Sequence, residues 1–194
     1  MAYITLAELK AYGDWPSSDD DALLESCITR AQQAIETYTG RAFESSSDDV
    51  AARYYSSADE YIDGYTMYLD DDLLAVESIT IGSDTVPSSD YVTVPRNDAP
   101  YYALTLRECC PYEWGDYDDD PIDNITITAN WAYSLAAPAD VKQATLRLCK
   151  YFYHSANASQ DADRTIVMDG VTISPTSMPK DVISLLARYM RIVI

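Results

Sequence analysis

Chemistry on a polypeptide needs a nucleophile, a base, a metal set or a phosphate cradle, and this chain offers few candidates for any of them. His154 is the single histidine, and no motif pins a nucleophile beside it. The sequence holds no G-x-S-x-G, no P-loop and no G-x-G-x-x-G, so hydrolase, NTPase and dinucleotide chemistry lose their support. Glu60, Glu77, Glu108 and Glu113 could supply paired carboxylates for glycoside cleavage, but that chemistry depends on a separation the sequence does not set. Aspartates cluster at Asp19-Asp20-Asp21, at Asp70-Asp71-Asp72, and at Asp116, Asp118, Asp119, Asp120 and Asp123. The last group alternates carboxylates as calcium loops do. Pro121, however, stands where an EF-hand needs Gly, and Ile127 where it needs the bidentate Glu. Solvated turn charge is the plainer reading; a calcium-assisted β-sandwich module for a glycan or protein ligand, prompted by these loops with Trp114, Trp131 and the tyrosines, is the alternative. Cys27 and Cys149 fall on apolar helical faces, Cys109 and Cys110 are adjacent, and no C-x-x-C occurs, so all four are expected reduced and structural. No catalytic residue, cofactor site or metal site is expected, and the chain does not read as an enzyme.

The charge is large and uneven. Residues 1–60 hold 12 acids and 4 bases, 61–130 hold 15 and 2, and 131–194 hold 5 and 7, within a formal net charge of −19. Such a body repels phosphate, which argues against sequence-reading of nucleic acid; only the last third could approach a polyanion. There, Arg147, Lys150 and His154 form a basic helix stripe that suits a solvated face or a partner's acids. Met1 to Gly13 carries Glu8 and Lys10, and no apolar run reaches membrane-spanning length, so neither a signal peptide nor a membrane is expected. Tyrosine is used 17 times against 2 Phe, which suits half-buried sheet surfaces and subunit contacts.

The elements that must carry these residues are legible in sequence. Thr5 with Glu8 is a capping box for a short helix ending near Tyr12. Leu23, Leu24, Cys27, Ile28, Ala31, Ile35 and Tyr38 then form one stripe of a long amphipathic helix that Gly40 stops. The period changes to strands over about Val50 to Tyr55, Tyr61 to Tyr68, Leu74 to Ile81, Tyr91 to Val94, Tyr101 to Leu106 and Ile122 to Tyr133, which predicts a small sandwich or open barrel. In the last of these, Ile125, Ile127, Ala129, Trp131 and Tyr133 share one face. Pro138 opens a helix carrying Val141, Ala144, Leu148 and Phe152, a recipe echoed at Pro179. Asp169-Gly170 between β-branched runs predicts a hairpin. A final helix from about Pro179 to Arg191 buries Val182, Leu185, Leu186 and Tyr189. The expected class is α+β. Residues 1–45 pack with 134–154 as a helical core, 46–133 form a β-rich insert as an antiparallel sandwich or open barrel, and 155–194 hold a linker, the hairpin and a docking helix.

Three stretches resemble the head-tail connector (adaptor, or head completion) proteins of long-tailed bacteriophages. They are Tyr3-Ile4-Thr5-Leu6-Ala7-Glu8-Leu9-Lys10-Ala11-Tyr12, the helix from Asp21 through Ile35-Glu36-Thr37-Tyr38-Thr39-Gly40-Arg41, and Ile125-Thr126-Ile127-Thr128-Ala129-Asn130-Trp131-Ala132-Tyr133 with Pro138-Ala139-Asp140-Val141-Lys142-Gln143-Ala144, with a looser match at Pro179 to Arg191. The resemblance implies a structural virion protein that forms a homo-oligomeric ring between the portal protein and a tail-side connector or tail completion protein. Genomic DNA would pass through its channel without sequence-specific binding. It implies a place at the head-tail interface of the virion, and in the host cytoplasm during assembly. It also implies that the C-terminal region engages the portal, and the apolar face and net positive charge of the last third then predict Val182, Leu185, Leu186 and Tyr189 as anchors, with Arg188 and Arg191 meeting acids on the portal or the next subunit. Ala132 stands where members often have Gly, and the segment from Val50 to Pro121 is longer than in compact members, so the resemblance assigns that segment no role.

Overall fold

A computed structural model describes residues 2–46, 48–58, 61–115, 120–157, 166–168, 171–173 and 178–191. The chain is α+β and forms two compact units, a β unit over 41–136 and a helical unit from 2–40 with the chain beyond 136.

In the helical unit α1 (Leu6–Gly13) begins with the expected capping box: Thr5 Oγ1 accepts from Glu8 N–H at 3.2 Å and the Glu8 carboxylate accepts from Thr5 N–H at 2.7 Å. α2 (Asp21–Thr39) buries Leu24, Cys27, Ile28, Ala31 and Ile35 and ends at Gly40, whose φ of 66° lets its N–H close on Glu36 C=O. α3 (Ala139–Asn157) starts directly after Pro138 and buries Val141, Ala144, Leu148, Cys149 and Phe152. α4 (Lys180–Leu186) is shorter than its periodicity suggests and tightens into a 3-10 turn over Ala187–Tyr189. α2 packs on α3, and α3 on α4.

The β unit is a sandwich of two antiparallel sheets; no strand joins them into a barrel among the described residues. One sheet has the order β1 (Val50–Tyr55), β8 (Ile125–Asn130), β4 (Ala75–Ile81), β5 (Asp84–Val86); the other runs β2 (Ile62–Asp63), β3 (Thr66–Leu73), β7 (Tyr101–Leu106), β6 (Tyr91–Val94). Both contribute to one core. Met67, Leu69, Leu73, Leu104 and Leu106 meet Ile79, Ile81, Ile125, Ile127 and Ala129, with Trp114 buried among them and its indole N–H donated to Tyr65 C=O at 2.8 Å.

The strand expectations need three corrections, each with a backbone cause. The run Tyr61 to Tyr68 is two strands, because Gly64 takes a φ of 58° and turns the chain so that Asp63 faces Thr66. Gly82, at 57°, makes the same kind of turn and creates β5, which the periodicity did not suggest. The run Ile122 to Tyr133 shrinks to Ile125–Asn130. Asp123 sits at a φ of 55°, outside extended backbone, and after Asn130 the Trp131 indole N–H turns back to Ala51 C=O at 2.8 Å. The strands of the expected hairpin, β9 (Ile166–Met168) and β10 (Val171–Ile173), pair antiparallel with Met168 opposite Val171; the Asp169-Gly170 turn lies outside the described residues.

Candidate functional site

The charge divides between the units. Residues 41–136 hold 20 Asp and Glu against 4 Lys and Arg, a net −16, whereas the rest of the chain holds 12 against 9.

Asp70-Asp71-Asp72 are not turn charges: they lie in β3, where the register to β7 shifts, and cations meet them. Arg53 Nη1 reaches Asp70 at 3.1 Å and Nη2 reaches Asp71 at 2.7 Å, while its guanidinium lies 4.3 Å from the Trp131 ring centroid. Burial opposes the Arg53 charge, but Asp71 and Asp70 outweigh it and hold the group above its ordinary value. Tyr55 donates its hydroxyl to Asp70. Arg41 binds Asp72 at 2.5 Å and lies 5.5 Å from the Tyr133 ring centroid. Sequence reading missed this cluster, because the partners are separated by the turns that build the sandwich.

The remaining chemical candidates do not converge. Asp116, Asp118 and Asp119 lie outside the described residues, as does Glu60. Glu77, Glu108 and Glu113 are exposed. Among the described residues no group of three or more His, Cys, Asp or Glu could hold a metal ion. His154 packs edge-on against Trp15 and Tyr153, at 6.2 and 5.8 Å between centroids.

The basic stripe and the C-terminal face are largely engaged within the helical unit. Arg147 pairs with Asp181, and Lys150 lies 5.7 Å from the Tyr12 ring centroid. Val182 and Leu186 are fully buried, which corrects their expected role as anchors for a partner. A seven-residue helix has little stability of its own, so its apolar side packs onto its neighbours. Arg188 pairs with Asp140 of its own chain, and the Tyr189 hydroxyl donates to the same carboxylate at 3.5 Å. Arg191 donates its N–H to Thr39 C=O. Leu185 and Tyr189 stay half-buried, and Met190 is exposed beside an open groove of about 670 Å³ lined by Ala34, Tyr38 and Ile183. On the β unit, Val50, Tyr54, Tyr65 and Tyr102 are exposed.

Comparison with known proteins shows the family. No curated protein matches the sequence. Among solved structures, the fold is similar to a chain from the neck of an empty gene transfer agent particle reconstructed with C6 symmetry, with a TM-score of 0.61 at 18% identity, covering 99% of this chain and 91% of that one. It is also similar to a chain of the virion of the native gene transfer agent particle, with a TM-score of 0.56 at 21% identity and the same two coverages. The family model described as head completion protein matches residues 2–192. A match over nearly the whole length identifies the chain as a member of the head completion protein family.

Proposed function

We propose that this protein forms a ring between the portal and the tail of a phage-like particle, extends the DNA channel and completes the head for tail attachment. Membership of the head completion family is the observation that carries the reading. The physical chemistry agrees with it. DNA must slide through such a ring without sticking, and a unit of net −16 repels a polyanion at every position along its path. The role is mechanical, with the portal protein above and a tail-side connector below. With Val182 and Leu186 committed to the core, docking on the helical unit falls to its outer side, where Leu185, Tyr189 and Met190 lie.

Heads assembled without this chain test the reading. They should package DNA, fail to join tails and recover on addition of the purified protein, and a reconstruction should show it in several copies around the channel axis. Tailed, infectious particles lacking the chain, or a single copy off the axis, would overturn it.

A further inference from the structure

β1 is the outermost strand of its sheet, and among the described residues nothing pairs with its free side. Leu74 N–H donates to Asn130 C=O, which turns Asn130 toward β4; by alternation Ala129, Ile127 and Ile125 turn toward β1. Ala51, Arg53 and Tyr55 therefore use their N–H and C=O groups on β8, while Ala52 and Tyr54 aim theirs outward. Val50 and Tyr54 are also open at the side chain, 38% and 62% exposed.

Edge strands are usually protected by Pro, Lys, a bulge or an outward charge. β1 has none of these. Its six pairs with β8 run without a register shift, and its one charge, Arg53, is held by Asp70 and Asp71.

A strand is also available to fill the edge. β9 and β10 form a two-stranded sheet that no other described strand joins, and such a hairpin is marginal alone in water. Ile166, Val167, Met168, Val171, Thr172 and Ile173 carry no charge. That decides between occupants. Two β1 edges meeting would bring together two units of net −16, whereas uncharged strands approach the same edge without that repulsion.

We infer that the β9–β10 hairpin of one copy adds to the β1 edge of the next, extending its four-stranded sheet by strand addition. Donor and acceptor are different surfaces, so the contact is heterologous and propagates around a ring. The inference rests on the ring reading above.

Mixed cross-linking tests it. In a Cys109→Ser, Cys110→Ser background, one preparation carries Ala52→Cys and a second carries Val167→Cys or Thr172→Cys, one variant for each hairpin strand. The two are mixed, assembled onto heads and oxidised. A band of twice the chain mass, formed only in the mixture, is expected for at least one hairpin variant. Particles that contain the chain at normal occupancy but yield no mixed band, or a band from a hairpin variant alone, overturn the inference and leave the ring reading intact. Absence of the unsubstituted chain from particles overturns both. Ala52→Pro gives a second arm: it deletes an outward N–H and leaves the bonds to β8, so the isolated chain should melt as its parent does yet be lost from particles. Normal incorporation of a folded Ala52→Pro chain would also overturn the inference.

Discussion

The Arg41 guanidinium and the Asp72 carboxylate, 31 positions apart, meet at 2.5 Å with side-chain exposures of 19% and 4%. Arg41 follows the end of α2, and Asp72 lies in the irregular part of β3, so the pair fastens the entrance of the β unit to one of its sheets. Removing one partner strands a buried charge. Arg41→Ala is expected to cost about 3 kcal/mol, whereas Arg41→Met with Asp72→Leu should recover most of that loss. Urea unfolding followed by the fluorescence of Trp15, Trp114 and Trp131 together measures both, and equal losses in the single and double variants would disprove the pairing account.

Tyr55 links the same acids to alkaline stability. Burial first, and then the hydrogen bond to Asp70, push its phenol far above the ordinary tyrosine value. The unfolded chain releases this proton near pH 10 while the folded chain keeps it, so the folded state binds more protons and its stability falls as pH rises from about 10. Tyr55→Phe should flatten that fall by up to about 1.4 kcal/mol per pH unit. Melting curves from pH 8 to 11 report it; parallel slopes for the two proteins would refute it.

The buried face of α4 sets the consequence of losing the C-terminus. Leu186→Ala is expected to cost about 2–5 kcal/mol. Arg188→Ala, whose pair with Asp140 leaves the Arg side chain 61% exposed, should cost no more than about 1 kcal/mol. Cutting the chain after His154 removes Met178, Val182 and Leu186 from the helical core, so helical circular dichroism should fall beyond the share of the deleted residues. A truncated chain that melts like the intact one would contradict this.

The four thiols should separate by reactivity. Burial, with a further contribution from nearby Cys27, pushes Cys149 up to about 12, and burial raises Cys27 as well; Cys109 is exposed. Alkylation of the native protein at pH 8, followed by peptide mass analysis, should modify Cys109 first and reach Cys27 and Cys149 only in denaturant. Native modification of Cys149 would show that the α2–α3 contact opens.

What the sequence determined by itself is what neighbours along the chain decide. The capping box at Thr5 and Glu8, the stripe from Leu24 to Ile35, the stop at Gly40 and the alternation of Ile125, Ile127 and Ala129 are all settled within one or two helical turns or strand repeats. Tertiary structure alone decided which surfaces meet. It placed β8 between β1 and β4 and so left β1 at an edge; it set Arg53 and Arg41 against three consecutive aspartates; and it turned Val182 and Leu186 inward. An amphipathic helix reads the same whether its apolar side covers its own core or a partner's, because periodicity records that a face must be buried and not what buries it.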